Sequence, residues 1–138
     1  MLILDTNVLS EIMKAVPLPR VMQWWSHQQS GDIFTTTVTA AEILYGIEIL
    51  PKGRRRDSLR AEAEVVFTQD FAGRILPFDE DAARAYSRIA AARRLLGRPI
   101  ADFDAQIAGI AQSRGASLAT RNIADFEGCS IRLENPWQ

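Results

Sequence analysis

Met1-Leu2-Ile3-Leu4-Asp5-Thr6-Asn7 opens the chain, an apolar run that stops on a carboxylate followed by two small polar residues. Consecutive apolar residues with no polar alternation suit a strand buried on both faces, as in a parallel sheet flanked by helices. In open α/β sheets ligands and chemistry gather at the carboxyl ends of the strands, and Asp5 stands at that end. The other acidic residues are therefore weighed against Asp5.

Working outward, 138 residues predict a single domain, 1–138, able to bury one sizeable core but not two. A hydrophobic fraction of 47% with 24% charged residues is that of a globular chain rather than a disordered one. Lys and Arg number 16 against 17 Asp and Glu, so overall charge selects no partner and any nucleic-acid contact must come from local clustering. Cys129 is the only cysteine, which rules out an intramolecular disulfide and a thiolate zinc site. No stretch has the apolar length of a membrane span, and the first residues read as a strand rather than a signal peptide. The expected compartment is the cytoplasm.

Helices are predicted over Val8–Lys14, capped by Thr6 or Asn7, and over Arg20–Gln28. Val21, Trp24 and Trp25 share one face of the second, as a core stripe or as the wall of a groove for a partner helix. Ile33–Val38 is β-branched and reads as a strand, after which Thr39 opens a helix with a buried stripe of Ile43, Leu44, Ile47 and Leu50. Gly46 in mid-helix predicts a close neighbour. A helix over Arg54–Gln69 begins with Lys52, Arg54, Arg55, Arg56 and Arg60, a cluster that opposes the helix dipole and reads either as an RNA phosphate contact or as a solvated face. Arg74–Phe78 is a brief strand, Asp79 caps a helix over Glu80–Leu96, and Gly97 ends it. Asp102 is the expected cap of a helix over Phe103–Arg114, with Gly115 past its end. Ser117–Thr120 and Ile131–Leu133 complete the strands around a turn or short helix at Asn122–Phe126. Strands alternating with helices predict an α/β fold with a central parallel sheet of four to five strands flanked by helices.

Three carboxylates fall where a strand has just ended or a helix begins: Asp5, Glu42 and Asp104. Each has a structural alternative. Asp5 can bond the amides of the next helix, Thr39-Ala40-Ala41-Glu42 matches a capping box, and Asp104 lies in a first turn where the helix dipole favours negative charge. Helix phase separates Asp104 from Asp102. Asp104 lines up with Ile107, Ala108 and Ala111 and so points along the packed face, whereas Asp102 is turned about 200° away. Inward-facing carboxylates are costly unless something cationic satisfies them, and converging ones repel unless a divalent cation is bound. With one histidine and one cysteine the donor set is oxygen, which favours Mg²⁺, or Mn²⁺, over zinc and suits phosphodiester hydrolysis. His27, near a helix end, reads as a surface residue rather than a catalytic base. Thr120 and Asn122 join the same sheet edge as holders of water or a substrate oxygen, Arg121 as a phosphate contact, and Asp125 as an outer carboxylate or a turn former.

Five stretches in order carry a family likeness: Leu4-Asp5-Thr6-Asn7, Ala41-Glu42-Ile43-Leu44-Tyr45-Gly46, Phe103-Asp104-Ala105-Gln106-Ile107-Ala108, Leu118-Ala119-Thr120-Arg121-Asn122 and Asn135-Pro136-Trp137. On them the chain resembles the PIN-domain ribonucleases of the VapC and FitB kind, toxins of type II toxin–antitoxin systems, over nearly its whole length. The resemblance implies a PIN-like fold, with Asp5, Glu42 and Asp104 as metal ligands and catalytic residues. Asn7, Thr120, Asn122 and Asp125 support them, and Arg54, Arg55, Arg56 or Arg121 hold RNA. It also implies homodimers, cleavage of RNA, and a VapB- or FitA-like antitoxin that covers the acidic pocket and binds operator DNA through its own domain. One departure stands out. Asn122 occupies a position where the family often has a fourth acidic residue, which predicts one tightly held Mg²⁺ and at most a transient second metal.

Two rival functions remain distinguishable. An aspartyl phosphatase of haloacid-dehalogenase type also starts from an Asp after its first strand, but needs a second Asp where this chain has Asn7. A catalytically silent PIN-like module would bind RNA or protein without cutting, its acidic residues serving as caps.

Overall fold

The computed structural model describes residues 1–138. Its first strand, β1 (Leu2–Leu4), is buried on both faces: Ile3 enters one core cluster, Leu2 and Leu4 the other. That alternation follows from the two-residue period of a strand. Around β1 lie β2 (Ile33–Thr36), β3 (Ile75–Leu76), β4 (Ser117–Ala119) and β5 (Leu133–Glu134), all parallel, in the order β3-β2-β1-β4-β5. The chain builds outward from β1 on one side and then returns to add β4 and β5 on the other. The order therefore reverses between β1 and β4, and a crevice opens at their carboxyl ends.

Seven α-helices cover the sheet: α1 (Thr6–Ile12), α2 (Pro19–Ser26), α3 (Thr37–Glu48), α4 (Arg54–Val65), α5 (Glu80–Leu95), α6 (Asp102–Arg114) and α7 (Ile123–Phe126). The larger core cluster joins Ile3 and Leu118 to Ala82 and Ile89 of α5 and Ile107, Ile110 and Ala111 of α6. The smaller, on the other face, joins Leu2, Leu4 and Ile33 to Val8 and Leu9 of α1 and to Phe71, with Trp24 and Trp25 half-buried against it. The tryptophans thus form the core stripe. Each fully buried aliphatic side chain contributes about 1.5–3 kcal/mol, so both faces are needed to hold the short strands.

Several local expectations are corrected. The cap of α3 is Thr36, whose Oγ1 accepts from the Thr39 amide at 3.0 Å, so the helix starts two residues before Thr39 and Glu42 belongs to no capping box. α1 is capped by Asp5 rather than by Thr6 or Asn7, and α6 begins at Asp102 after Ala101, with no side-chain cap. Leu44 and Tyr45 face outward. The predicted helix over Arg54–Gln69 gives way to a π turn over Val66–Asp70, which ends on the buried Phe71. A Cβ on Gly46 would meet nothing within 4 Å, because Gly46 lines an open groove between α1, α3 and α4. The glycine that does allow close approach is Gly109, where a Cβ would stand 2.6 Å from the Ala82 carbonyl oxygen. There α6 lies against α5, and Ala82 and Ala108 enter the same core cluster. Both ends of α5 and the carboxyl end of α6 agree with expectation: Asp79 Oδ1 accepts from the Ala82 amide at 2.9 Å, and Gly97 and Gly115 take left-handed φ of 71° and 62°.

Candidate active site

The crevice at the β1/β4 switch point is lined by Asp5, Thr6, Asn7, Glu42, Asp104 and Asn122, with no apolar residue among them, around a cavity of about 260 Å³. Four elements bring these side chains together. Asp5 ends β1, Glu42 lies in α3 after β2, Asp104 is in the first turn of α6, and Asn122 follows β4. The helix-phase choice of Asp104 over Asp102 agrees with the geometry, since Asp102 is exposed and lines no part of the cavity.

Asp5 is almost wholly buried and both of its oxygens are held: Oδ1 accepts from the Thr6 amide at 2.8 Å and Oδ2 from the Thr120 hydroxyl at 2.8 Å. Thr120 also accepts from the Asn122 amide at 3.1 Å, so one buried hydroxyl fixes both the carboxylate and the segment leaving β4. The capping role expected of Asp5 is thus real, and it leaves the carboxylate facing the cavity. Glu42 Oε1 accepts from the Thr6 hydroxyl at 2.7 Å, and Thr6 Oγ1 stands 3.1 Å from Thr39 Oγ1. Thr6 escaped notice in the sequence as more than a possible cap. Its signal is its place immediately after a strand-ending Asp, in the first turn of a helix.

Electrostatically the cavity is one-sided. Burial pushes the Asp104 carboxyl up to about 6, and repulsion from Asp5, Asp125 and Glu42 adds to it with no hydrogen bond or cation in opposition. Burial likewise raises Asp5, against the bonds from Thr120 and Thr6, with Glu42 and Asp125 pushing the same way. None of the chain's ion pairs involves Asp5, Glu42 or Asp104. As placed, no three of the chain's acidic, histidine or cysteine side chains are close enough to share one cation. Like charges repel, and Glu42 takes the Thr6 hydroxyl instead. Oxygen donors alone, uncompensated negative charge and neighbouring amides and hydroxyls nonetheless fit a hard divalent cation.

The remaining sequence candidates divide. Asn7 lines the cavity, and its Oδ1 accepts from the Arg121 amide at 3.3 Å. Asp125 lies outside the lining residues, where its charge is felt by Asp5 and Asp104, and its own amide donates to the Asn122 carbonyl at 3.0 Å as a turn former would. The Arg121 guanidinium packs over the Trp137 ring at 5.2 Å. Arg54, Arg55 and Arg56 open α4, and Arg55 lines the groove that shares Thr6 and Glu42 with the acidic cavity. Arg60 is committed elsewhere, in a bidentate pair with Glu48 at 2.9 and 3.0 Å. His27 is exposed at the end of α2, as expected of a surface residue.

Comparison with known proteins bears on the same residues. The PIN domain model matches residues 2–127. The chain is 38% identical to the plasmid stability protein StbB of Pseudomonas syringae pv. tomato and 36% identical to the VapC ribonuclease Y4jK of Sinorhizobium fredii, each over all of this chain and 99% of the relative. It is 35% identical to the toxin FitB of Neisseria gonorrhoeae over 99% of each chain. A solved structure of FitAB bound to the IR36 DNA fragment superposes with a TM-score of 0.93 at 35% identity, covering all of this chain and 96% of that one. With the parallel sheet, the switch-point crevice and its carboxylates in place, the chain belongs to the PIN-domain family.

Proposed function

We propose that the chain is the toxin of a type II toxin–antitoxin pair and acts as a divalent-metal-dependent endoribonuclease. The observation that carries this reading is the crevice itself: Asp5, Glu42 and Asp104 face one polar cavity at the sheet's switch point without a single cationic partner. Relatives named as a VapC ribonuclease and as toxin FitB, similar over nearly their full length, support the substrate class and the role.

Asp5, Glu42 and Asp104 would hold Mg²⁺ or Mn²⁺, with Asn122 and Asp125 supporting. A divalent cation bound there supplies Lewis acidity, lowering the pKa of an attacking water and neutralising charge that builds on the phosphate. The chain's own residues set the stage for it. Thr120 and the Thr6 amide hold Asp5 in one orientation, and Thr6 keeps Glu42 turned toward the cavity wall until a stronger partner arrives. Asn7 and Asn122, neutral at the rim, offer amide N–H groups to non-bridging phosphate oxygens without adding charge. Arg121 beside Asn7, Arg55 on the wall of the neighbouring groove, and Arg54 and Arg56 beside it in the first turn of α4 supply cations for the flanking RNA backbone. With Asn122 in place of a fourth acid, the cavity suits one tightly held metal. The partner is a VapB- or FitA-like antitoxin, through which operator DNA is reached, and the toxin itself pairs as a homodimer. A complex of FitAB with DNA among the structural relatives supports the antitoxin and DNA part of that arrangement.

Cleavage of a mixed RNA pool by the purified protein, with Mg²⁺, with Mn²⁺ and with EDTA, tests the proposal. Cutting in either metal that stops in EDTA is expected. Folded protein that cuts under no metal, while still binding RNA in EDTA, would instead make the chain a silent binding module.

A further inference from the structure

Arg93 is 5% exposed near the end of α5, yet it takes part in none of the chain's ion pairs. A guanidinium is removed from water at a heavy cost unless its donors are met. Here Nε and Nη1 are met by main-chain carbonyls from two separate turns. Nε donates to Arg98 O at 2.8 Å, and Nη1 donates to Asp125 O at 2.7 Å and Glu127 O at 3.1 Å, with Cys129 Sγ 3.7 Å away. The first carbonyl belongs to the turn that closes α5, in which the Arg98 amide bonds Arg93 O and the Gly97 amide bonds Arg94 O, both at 3.0 Å, around the left-handed Gly97. The other two end α7, so the positive charge sits at the negative end of that short helix.

The position of α7 gives the clamp its meaning. α7 begins directly after Asn122, which lines the acidic cavity, and carries Asp125, whose charge reaches Asp5 and Asp104. At its front the Asn122 amide is held by Thr120, and at its back Arg93 takes both closing carbonyls. Gln112 of α6 adds a bond to Cys129 O at 3.2 Å, and outside, Arg98 pairs with Glu127 at 3.5 Å. A lysine has one donor centre and cannot span two turns as a planar fork does, and an apolar residue would leave the carbonyls unmet.

We propose that Arg93 is a positioning residue for the acidic site, holding α7 so that Asn122 stays at the cavity rim and Asp125 stays within reach of Asp5 and Asp104. It rests on the reading of that cavity as a divalent-cation site. The sequence carried a signal for it: Arg93 continues the stripe Ala82, Ala85, Ile89 at spacings of three, four and four, a charge in phase with an apolar face.

The test uses the full chain with Arg93→Lys and Arg93→Met, read by hydrogen exchange of residues 120–129 in EDTA and by Mn²⁺ titration. Exchange across 120–129 is expected to rise about tenfold or more in both variants while β1 and α6 keep their protection. Mn²⁺ affinity should fall by about 10-fold or more, as for other groups that orient a metal's ligands. Combining Arg93→Lys with Asn122→Ala should weaken Mn²⁺ binding no further than the stronger single substitution, because both act through one segment. Wild-type affinity in a folded Arg93→Lys protein, or effects of Arg93→Lys and Asn122→Ala that multiply, would reduce Arg93 to a structural clamp and overturn the proposal. A wild type that binds no Mn²⁺ would overturn the reading of the cavity, and Arg93's role toward it with it.

Discussion

Asp5, which caps α1, and Glu11, in the last turn of the same helix, are equally buried at 4% exposure and opposite in electrostatic character. Glu11 Oε1 accepts from Lys14 Nζ at 2.9 Å and Oε2 from the Leu18 amide at 3.1 Å, and these bonds hold its carboxyl below the ordinary range. Asp5 has only neutral donors, with Glu42 and Asp125 nearby, and burial raises its carboxyl. Asp104 shares that condition more strongly. A buried carboxylate with a cation beside it is finished: it stitches α1 to the loop before α2. One surrounded by its own kind still requires a positive partner, and that requirement marks the functional end of the helix.

The largest expected difference is in activity. Asp5→Asn and Asp104→Asn should each lower RNA cleavage by about 100-fold or more, the scale on which a preorganised electrostatic group acts, while Glu11→Gln should leave kcat/KM unchanged. Equal losses from Glu11→Gln and Asp104→Asn would erase the contrast. Next in size is the response to metal. Mn²⁺ at about 100 times its Kd should raise the wild-type Tm by on the order of 10 °C, and by little in Asp104→Asn.

Titration sharpens the comparison, because the acidic cavity and the paired end of α1 should slope in opposite directions. For Asp104 the folded carboxyl titrates near about 6 against an ordinary 3.8, so in EDTA the folded state holds the extra proton between those values. Its contribution therefore falls as pH rises from about 4 to about 6. Glu11, lowered from an ordinary 4.5, contributes stability that is present above that pH and lost as pH falls below it. Melting curves across pH 3–8 in EDTA check both signs. Asp104→Asn should flatten the first slope and raise Tm at pH 7 by roughly 4 °C, about 1 kcal/mol once solvent screening of a half-buried group is allowed for. The smallest effect is expected from Glu11→Gln, which lowers Tm at pH 7 and flattens the acid limb only.

What could be read from the sequence was local. The unbroken apolar run before Asp5, the Asp79 cap, the glycines at Gly97 and Gly115 and the phase of Asp104 on α6 each depend on residues within a turn or two, and each agrees with the structure. The site's second layer is not local. Thr6 reaches Glu42 across 36 residues and Thr120 reaches Asp5 across 115, so no periodicity announces either bond. The cap of α3 is hidden in the sequence for a related reason: Thr36, Thr37 and Thr39 are chemically alike, and only the end of β2 decides which of them caps. Gly46 and Gly109 teach the same lesson from packing, since both sit mid-helix and only the approach of α5 distinguishes the crowded one. Arg93 lay in plain view on an apolar stripe, and its partners, 32 and 34 residues away, were hidden by distance along the chain.

The central claim is that the unpaired end of α1, and not the paired one, is a cation site. Calorimetric titration of Mn²⁺ at pH 7 into wild type, Asp104→Asn and Glu11→Gln tests it most directly. One site in the wild type, kept in Glu11→Gln and lost in Asp104→Asn, is the predicted result. Undiminished binding in Asp104→Asn, or none in the wild type, would contradict it.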